Sequence, residues 1–167
     1  MIEYKAINIK FENKILSPEN LANQIKIQNI NRPIVFTNGC FDIVHRGHVT
    51  YLHEAKSLGK ILIVALNTDE SVKKLGKDLN RPINNLEDRC AVIAAIESVD
   101  FVTYFSENTP LELIKALKPD ILVKGGDWDI EQIVGNREVN SWGGSTYSIP
   151  FRHQTSTTKL IAKINNK

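Results

Sequence analysis

Apolar and polar positions follow two rhythms along this chain. Short apolar runs occur at 32–39 (RPIVFTNG), 60–69 (KILIVALNTD), 100–105 (DFVTYF), 120–126 (DILVKGG) and 143–150 (GGSTYSIP). Runs of this length, rich in Val, Ile and Phe and bounded by Gly, Asn or Pro, predict strands buried in a sheet. Between them lie stretches whose apolar residues recur at helical spacing. SPENLANQIKIQN (17–29) predicts a helix with Ser17 as N-cap and Pro18 in its first position. VTYLHEAKSLG places Val49, Leu52, Ala55 and Leu58 on one face and stops at Gly59. DESVKKLGK (69–77) predicts a short helix running into a basic loop, and LEDRCAVIAAIESV (86–99) a longer one. In TPLELIKALKP (109–119), Thr109 reads as the cap, Pro110 as the first helical residue, Glu112 as the capping-box partner and Pro119 as the stop. STTKLIAKI (156–164) predicts a closing helix with Leu160, Ile161 and Ile164 on one face. Residues 1–16 are a polar and aliphatic lead-in.

Strand and helix alternate, so the expected fold is α/β and Rossmann-like: a parallel sheet with helices on both faces. The 167 residues fit a single domain, 1–167, with 1–30 as lead-in and first helix. In such sheets ligands bind at the carboxyl ends of the strands, where the strand order reverses. The ends TNGCFD, LNTD and VKGGDW are therefore expected to face one pocket.

Composition narrows the partners. With 21 basic and 19 acidic residues the net charge is only +2, and the lysines are dispersed, which argues against a nucleic-acid partner. No apolar run approaches the ~20 residues of a membrane span. The start, MIEYKAINIKFENK, is charged and lacks the apolar core of a signal peptide. Cys40 and Cys90 have no metal-motif spacing, so the expected setting is reduced and cytoplasmic.

The stretch TNGCFDIVHRGH (37–48) carries the chemistry. It leaves a strand through Gly39, whose missing Cβ lets a ligand approach the backbone. It then sets His45 and His48 just before and within the first turn of a helix. A helix N-terminus presents unpaired N–H groups and partial positive charge, and so receives anions. Histidines placed there can add hydrogen bonds to phosphate oxygens. The dinucleotide fingerprint G-x-G-x-x-G is absent.

HRGH at 45–48 resembles the H-x-G-H signature of the nucleotidyltransferase superfamily, and STTK at 156–159 resembles its second phosphate-binding helix start. TNGCFD, LNTDESVKKL, RPIN, DRCAVIAAIESVDFV, TPLELI, KPDILVKGGDW and STT follow in the order of the heptose-1-phosphate adenylyltransferase family, over about Ile15 to Ile164. The resemblance implies a Rossmann-like nucleotidyltransferase fold and a stand-alone enzyme. Its substrates would be ATP and D-glycero-β-D-manno-heptose 1-phosphate, its products ADP-heptose and pyrophosphate, and its cofactor Mg²⁺ held mainly by phosphates and water. It further implies a homo-oligomer, dimeric or higher. Catalytic roles fall on His45, His48 and Lys77. Asn38, Gly39, Cys40, Phe41, Arg81, Gly125, Asp127, Trp128, Ser156, Thr157 and Thr158 are carried over as nucleotide-binding. Relatives often show a glycine just before STT, where this chain has Gln154 and Thr155.

Plainer readings stand beside these. The histidines suit a metal pair or simple caps, although His53 and His153 lack ligand spacing. Lys77 and Arg81 suit a solvated loop, Trp128 packing, Asp42 a structural turn, and Arg89 helix pairing or a subunit contact. The rival functions are a cytidylyltransferase acting on glycerol 3-phosphate or a similar phospho-alcohol, a pantetheine-phosphate adenylyltransferase, and a non-catalytic nucleotide-binding regulator.

Overall fold

The computed structural model describes residues 10–27, 30–75, 81–153 and 155–165. Five strands form one parallel sheet: β1 (Ile34–Gly39), β2 (Ile61–Asn67), β3 (Phe101–Phe105), β4 (Ile121–Gly125) and β5 (Ser145–Ile149). Among the described residues seven α-helices accompany it: α1 (Pro18–Ile27), α2 (Arg46–Ser57), α3 (Asp69–Lys74), α4 (Leu86–Ala94), α5 (Leu111–Leu117), α6 (Asn136–Ser141) and α7 (Thr157–Asn165). The strand order is β3-β2-β1-β4-β5. The chain steps outward from β1 to β3, then returns to the other side of β1 for β4 and β5. The order thus reverses between β1 and β4, and that is where a crevice opens in such folds.

Strand alternation divides the core in two. Val35, Leu62, Val64, Leu66 and Val102 pack against Leu52 and Ala55 of α2 and Ile93 of α4. Ile34, Phe36, Ile63, Ala65 and Leu122 pack on the opposite face against Leu21 of α1, Leu113, Ile114 and Leu117 of α5 and Val139 of α6. These strands are buried on both faces, as their continuous apolar runs require.

The amino ends of the strands are fastened by carboxylates. Asp120 accepts from Ile34 N and from Arg32 Nε, binding the start of β1 to that of β4. Asp100 accepts from Leu62 N, binding β2 to β3. The carboxyl ends are left for other work.

Several elements differ from the sequence expectation. α5 starts at Leu111, Pro110 occupies the cap position, and no side chain caps the helix. Glu112 pairs with Lys115 instead of closing a capping box, and Thr109 turns to the cleft described below. The helix beginning at Leu86 stops at Ala94, five residues before the predicted end at Val99. On α2, Val49 and Leu58 are exposed while Tyr51 is buried, which turns the apolar face. Gly59 serves close packing, since a Cβ there would lie 2.6 Å from Pro33 O. The lead-in contains a 3₁₀ turn, Lys10–Lys14, and Ile15 bridges to Val102 at the sheet edge. α6 was not predicted: NREVNS has one apolar residue, Val139, and hence no period to read. Ile164 of α7 is exposed.

Candidate active site

β1 ends at Gly39 and the chain turns sharply. Phe41 adopts a left-handed conformation with φ of 48°, uncommon for a bulky residue. Its ring lies against Gly39, where an added Cβ would stand 3.0 Å from the Phe41 ring. Asp42, fully buried, holds the turn. It accepts from Ile83 N and Asn84 N, and Arg81 Nε reaches its other oxygen at 3.0 Å. A second buried cation ties the strand ends together. Arg89 donates to Cys40 O, Asn67 O, Asn84 O and Asp69 Oδ1. One guanidinium thereby satisfies carbonyls at the ends of β1 and β2 that the apolar core cannot serve.

The turn delivers His45 to the N-cap of α2 and His48 to its third position. His45 Nδ1 accepts from Gly47 N at 3.1 Å, and His48 Nδ1 accepts from His45 N at 3.4 Å. With both Nδ1 atoms accepting, each neutral ring carries its proton on Nε2. The rings lie 4.0 Å apart between centroids. Burial, then the neighbouring His45, push His48 down to about 4; burial also lowers His45. Two neutral N–H donors thus stand at a helix N-terminus at neutral pH. The intervening glycine is a packing requirement. A Cβ on Gly47 would lie 3.0 Å from Cε1 and Nδ1 of His45.

The closing helix begins beside this turn. Ser156 Oγ accepts from Lys159 N at 3.2 Å as a cap, and Thr157 Oγ1 donates to Ile43 O at 3.3 Å. The hydroxyl-rich start of α7 is thereby fastened two residues before His45. The two motifs, 108 positions apart in sequence between His48 and Ser156, meet in space.

A cleft of about 550 Å³ opens at the carboxyl ends of the strands. Of the candidate site residues, Asn38, Gly39, Cys40, Phe41, His48, Gly125 and Trp128 line it, and Asn67 brings in the end of β2. Trp128 Nε1 donates to Gly125 O at 3.1 Å, and half of the residue remains exposed. His45, Arg81, Asp127, Ser156, Thr157 and Thr158 are not part of its lining. His45 and α7 flank it, Arg81 is buried against Asp42, and Asp127 is exposed. Lys77 and Gln154 lie outside the described residues.

Sequence reasoning missed Lys124, Tyr51, Asn108, Thr109, Gln132 and Phe151, all of which line the cleft. Lys124 directly precedes a glycine pair at a strand end, a signal that could have been used. Tyr51 sits under the site, its hydroxyl 2.6 Å from that of Thr37. The structural role of Arg89 was also legible: it falls on the apolar stripe of α4 with Leu86, Cys90 and Ile93.

A second cavity, about 590 Å³, lies between α1, α5 and the end of β3. Neither the start of α2 nor that of α7 lines it.

A parallel sheet, a crevice at its switch point and two joined helix starts carrying histidines and hydroxyls define an α/β protein with the architecture of nucleotide-handling folds. The chain belongs to the cytidylyltransferase-like family, whose model matches residues 36–163. It is 53% identical to a D-beta-D-heptose 1-phosphate adenylyltransferase of Bordetella bronchiseptica, over 93% of this chain and 96% of that protein. It is also 53% identical to the Bifunctional protein HldE of a Marinomonas species, over 90% of this chain but only 32% of that longer protein. Among solved structures, a lipopolysaccharide core biosynthesis protein from Thermoplasma volcanium superposes with a TM-score of 0.60 at 29% identity, covering 73% of this chain and 98% of that one. A pantothenate synthetase from Thermus thermophilus reaches 0.61 at 16% identity, over 88% of this chain and 67% of that one, a likeness of fold alone.

Proposed function

We infer that this chain is a nucleotidyltransferase that moves the adenylyl group of ATP onto D-glycero-β-D-manno-heptose 1-phosphate. The products are pyrophosphate and the ADP-heptose used for lipopolysaccharide core. One observation carries the reading: 53% identity, nearly end to end, to a protein of that name. The geometry supports the reaction class.

A phosphate oxygen of the sugar 1-phosphate attacks the α-phosphorus of ATP. The bond from that phosphorus to the oxygen bridging to the β-phosphorus breaks, and pyrophosphate leaves with the electron pair. The nucleophile is already anionic, so no general base is needed, and the cleft's described lining contains no carboxylate to act as one. The site has to hold two anions in line and neutralise charge as it shifts. The Nε2–H groups of His45 and His48 and the N-terminus of α2 meet the α- and β-phosphates. Ser156, Thr157 and Thr158 at the start of α7 take the outer phosphates. Lys77 keeps the phosphate contact that the family resemblance gives it. The backbone of Cys40 and Phe41 approaches the α-phosphate and ribose, and Gly125 and Trp128 line the nucleotide or sugar pocket.

Mg²⁺ is the proposed cofactor. The ion would be held mainly by phosphate oxygens and water, ligands that suit its hardness. When bound it withdraws charge from the triphosphate. Assembly as a homo-oligomer and a cytoplasmic setting belong to the same proposal; among the described residues no helix is long and apolar enough to cross a membrane.

The rival, cytidylyl transfer to glycerol 3-phosphate or a similar phospho-alcohol, draws on the name of the matching family model. Mass spectrometry of a reaction with ATP, Mg²⁺ and heptose 1-phosphate tests the proposal. ADP-heptose in step with pyrophosphate supports it; no nucleotide-sugar product rejects it.

A further inference from the structure

We propose that Lys124 receives the phosphate of the acceptor, so that the two anionic reactants are held on opposite faces of the sheet at the switch point. The inference rests on the nucleotidyl-transfer reading above and names a residue for its second substrate.

Strand alternation sets the direction of each side chain. In β4, Leu122 packs with the α1–α5 face and Val123 with the α2–α4 face, so Lys124 leaves the sheet on the α5 side. In β1, Thr37 contacts Tyr51 of α2, so its neighbour Asn38 also turns to the α5 side. The two meet there. Lys124 Nζ lies 3.3 Å from Asn38 Oδ1 and 3.4 Å from Asn38 O, and 5.9 Å from the centre of the Trp128 ring. This ammonium therefore bridges β1 and β4, the strands between which the sheet order reverses.

The histidine pair stands on the other face, at the start of α2. Phe41 and Tyr51 of the cleft belong to the α2 core, whereas Ile133 belongs to the α5 core. Asn108 and Thr109, just ahead of α5, and Gln132, next to Ile133, also line the cleft. They are neutral donors and acceptors of the kind that read sugar hydroxyls. Among the described residues lining the cleft, Lys124 is the only Lys or Arg. His48, held neutral, offers hydrogen bonds but no full charge. An acceptor phosphate approaching the α-phosphorus needs a full positive charge on its own side, or the two anions repel. Lys124 is placed to supply it.

The test compares wild type with Lys124→Gln and Lys124→Arg by initial rates, varying each substrate in turn. Loss of a charge-assisted contact predicts a rise of about 10- to 100-fold in KM for heptose 1-phosphate. The constant for ATP should stay within about twofold, and Lys124→Arg should recover most of the loss. A rise in the ATP constant instead, or no change in either, overturns the assignment. A second readout avoids turnover: calorimetric titration of inorganic phosphate into protein saturated with Mg²⁺ and a non-hydrolysable ATP analogue. Wild type should bind phosphate at least about tenfold more tightly than the Gln variant. Equal binding rejects the role of Lys124. Lys124→Met, whose unbranched chain can lie along Trp128, replaces the Gln variant if that one fails to fold. Absence of ADP-heptose with wild type rejects the function proposed above, while the phosphate titration still decides Lys124.

Discussion

His48 is a neutral ring at neutral pH, its pKa pushed down to about 4 by burial and then by His45. Its Nδ1 is occupied by a backbone N–H, so the outer nitrogen is fixed as a donor at the place where charge would develop. His48→Ala should lower kcat by about 10²–10³ while KM for ATP changes little, because such a donor matters most in the transition state. Steady-state kinetics check this, and a kcat within a few-fold of wild type contradicts it. The same burial has a stability signature. His48 titrates near 6.5 when unfolded and about 4 when folded. Between those values the unfolded chain holds a proton that the folded chain refuses, so stability is whole above pH 6.5 and falls as pH drops toward 4. His48→Asn should flatten that slope in denaturant melts taken across the window; an unchanged slope places its cause elsewhere. At this scale the sequence was readable where a residue's placement follows from type and spacing, as for His45 and His48 at the start of α2. It was less readable for Asp42 and Arg81, which bind each other across 39 positions.

Elements depend on how their ends are satisfied. The start of α7 is capped by Ser156 and tethered through Thr157 to Ile43. Replacing both by Ala should raise KM for ATP with a smaller effect on kcat, since these hydroxyls would hold outer phosphates equally in ground and transition states. An unchanged ATP constant separates α7 from the triphosphate. Arg89 acts on elements in a different way. Its four hydrogen bonds join α4 to the ends of β1 and β2 and to the 84–85 turn. Arg89→Met should cost about 3 kcal/mol or more by leaving buried carbonyls unpaired, a Tm drop of about 10 °C for a chain this size. A thermal melt within 2 °C of wild type, on the order of under 1 kcal/mol, would contradict that role. Strands were legible because apolar runs of five to seven residues leave few alternatives. The starts of α5 and α6 were not, because a short polar helix is decided by tertiary packing rather than by its own period.

At the scale of the whole molecule, the strand order makes the site. Reversal between β1 and β4 brings Gly39, Asn38, Lys124 and Gly125 together, and Thr157 ties the start of α7 to the turn before α2. The alternation of strands and helices gave the architecture and the three converging strand ends. It did not reveal which side chains leave the sheet on which face, and so Lys124 went unseen. Chelation of Mg²⁺ should abolish pyrophosphate release and restoring the ion should revive it, because two anionic reactants otherwise meet with their charge uncompensated. Release that persists in chelator contradicts the proposed cofactor.

The central claim is the pairing of adenylyl donor with heptose phosphate. It is tested most directly by kcat/KM for pyrophosphate release across a matrix of ATP and CTP against heptose 1-phosphate and glycerol 3-phosphate. A site whose buried groups bond the base edge can reject the wrong base by about 10⁴, so ATP with heptose 1-phosphate should exceed every other pair. If CTP with glycerol 3-phosphate is faster, the substrate assignment is wrong, although the fold would stand.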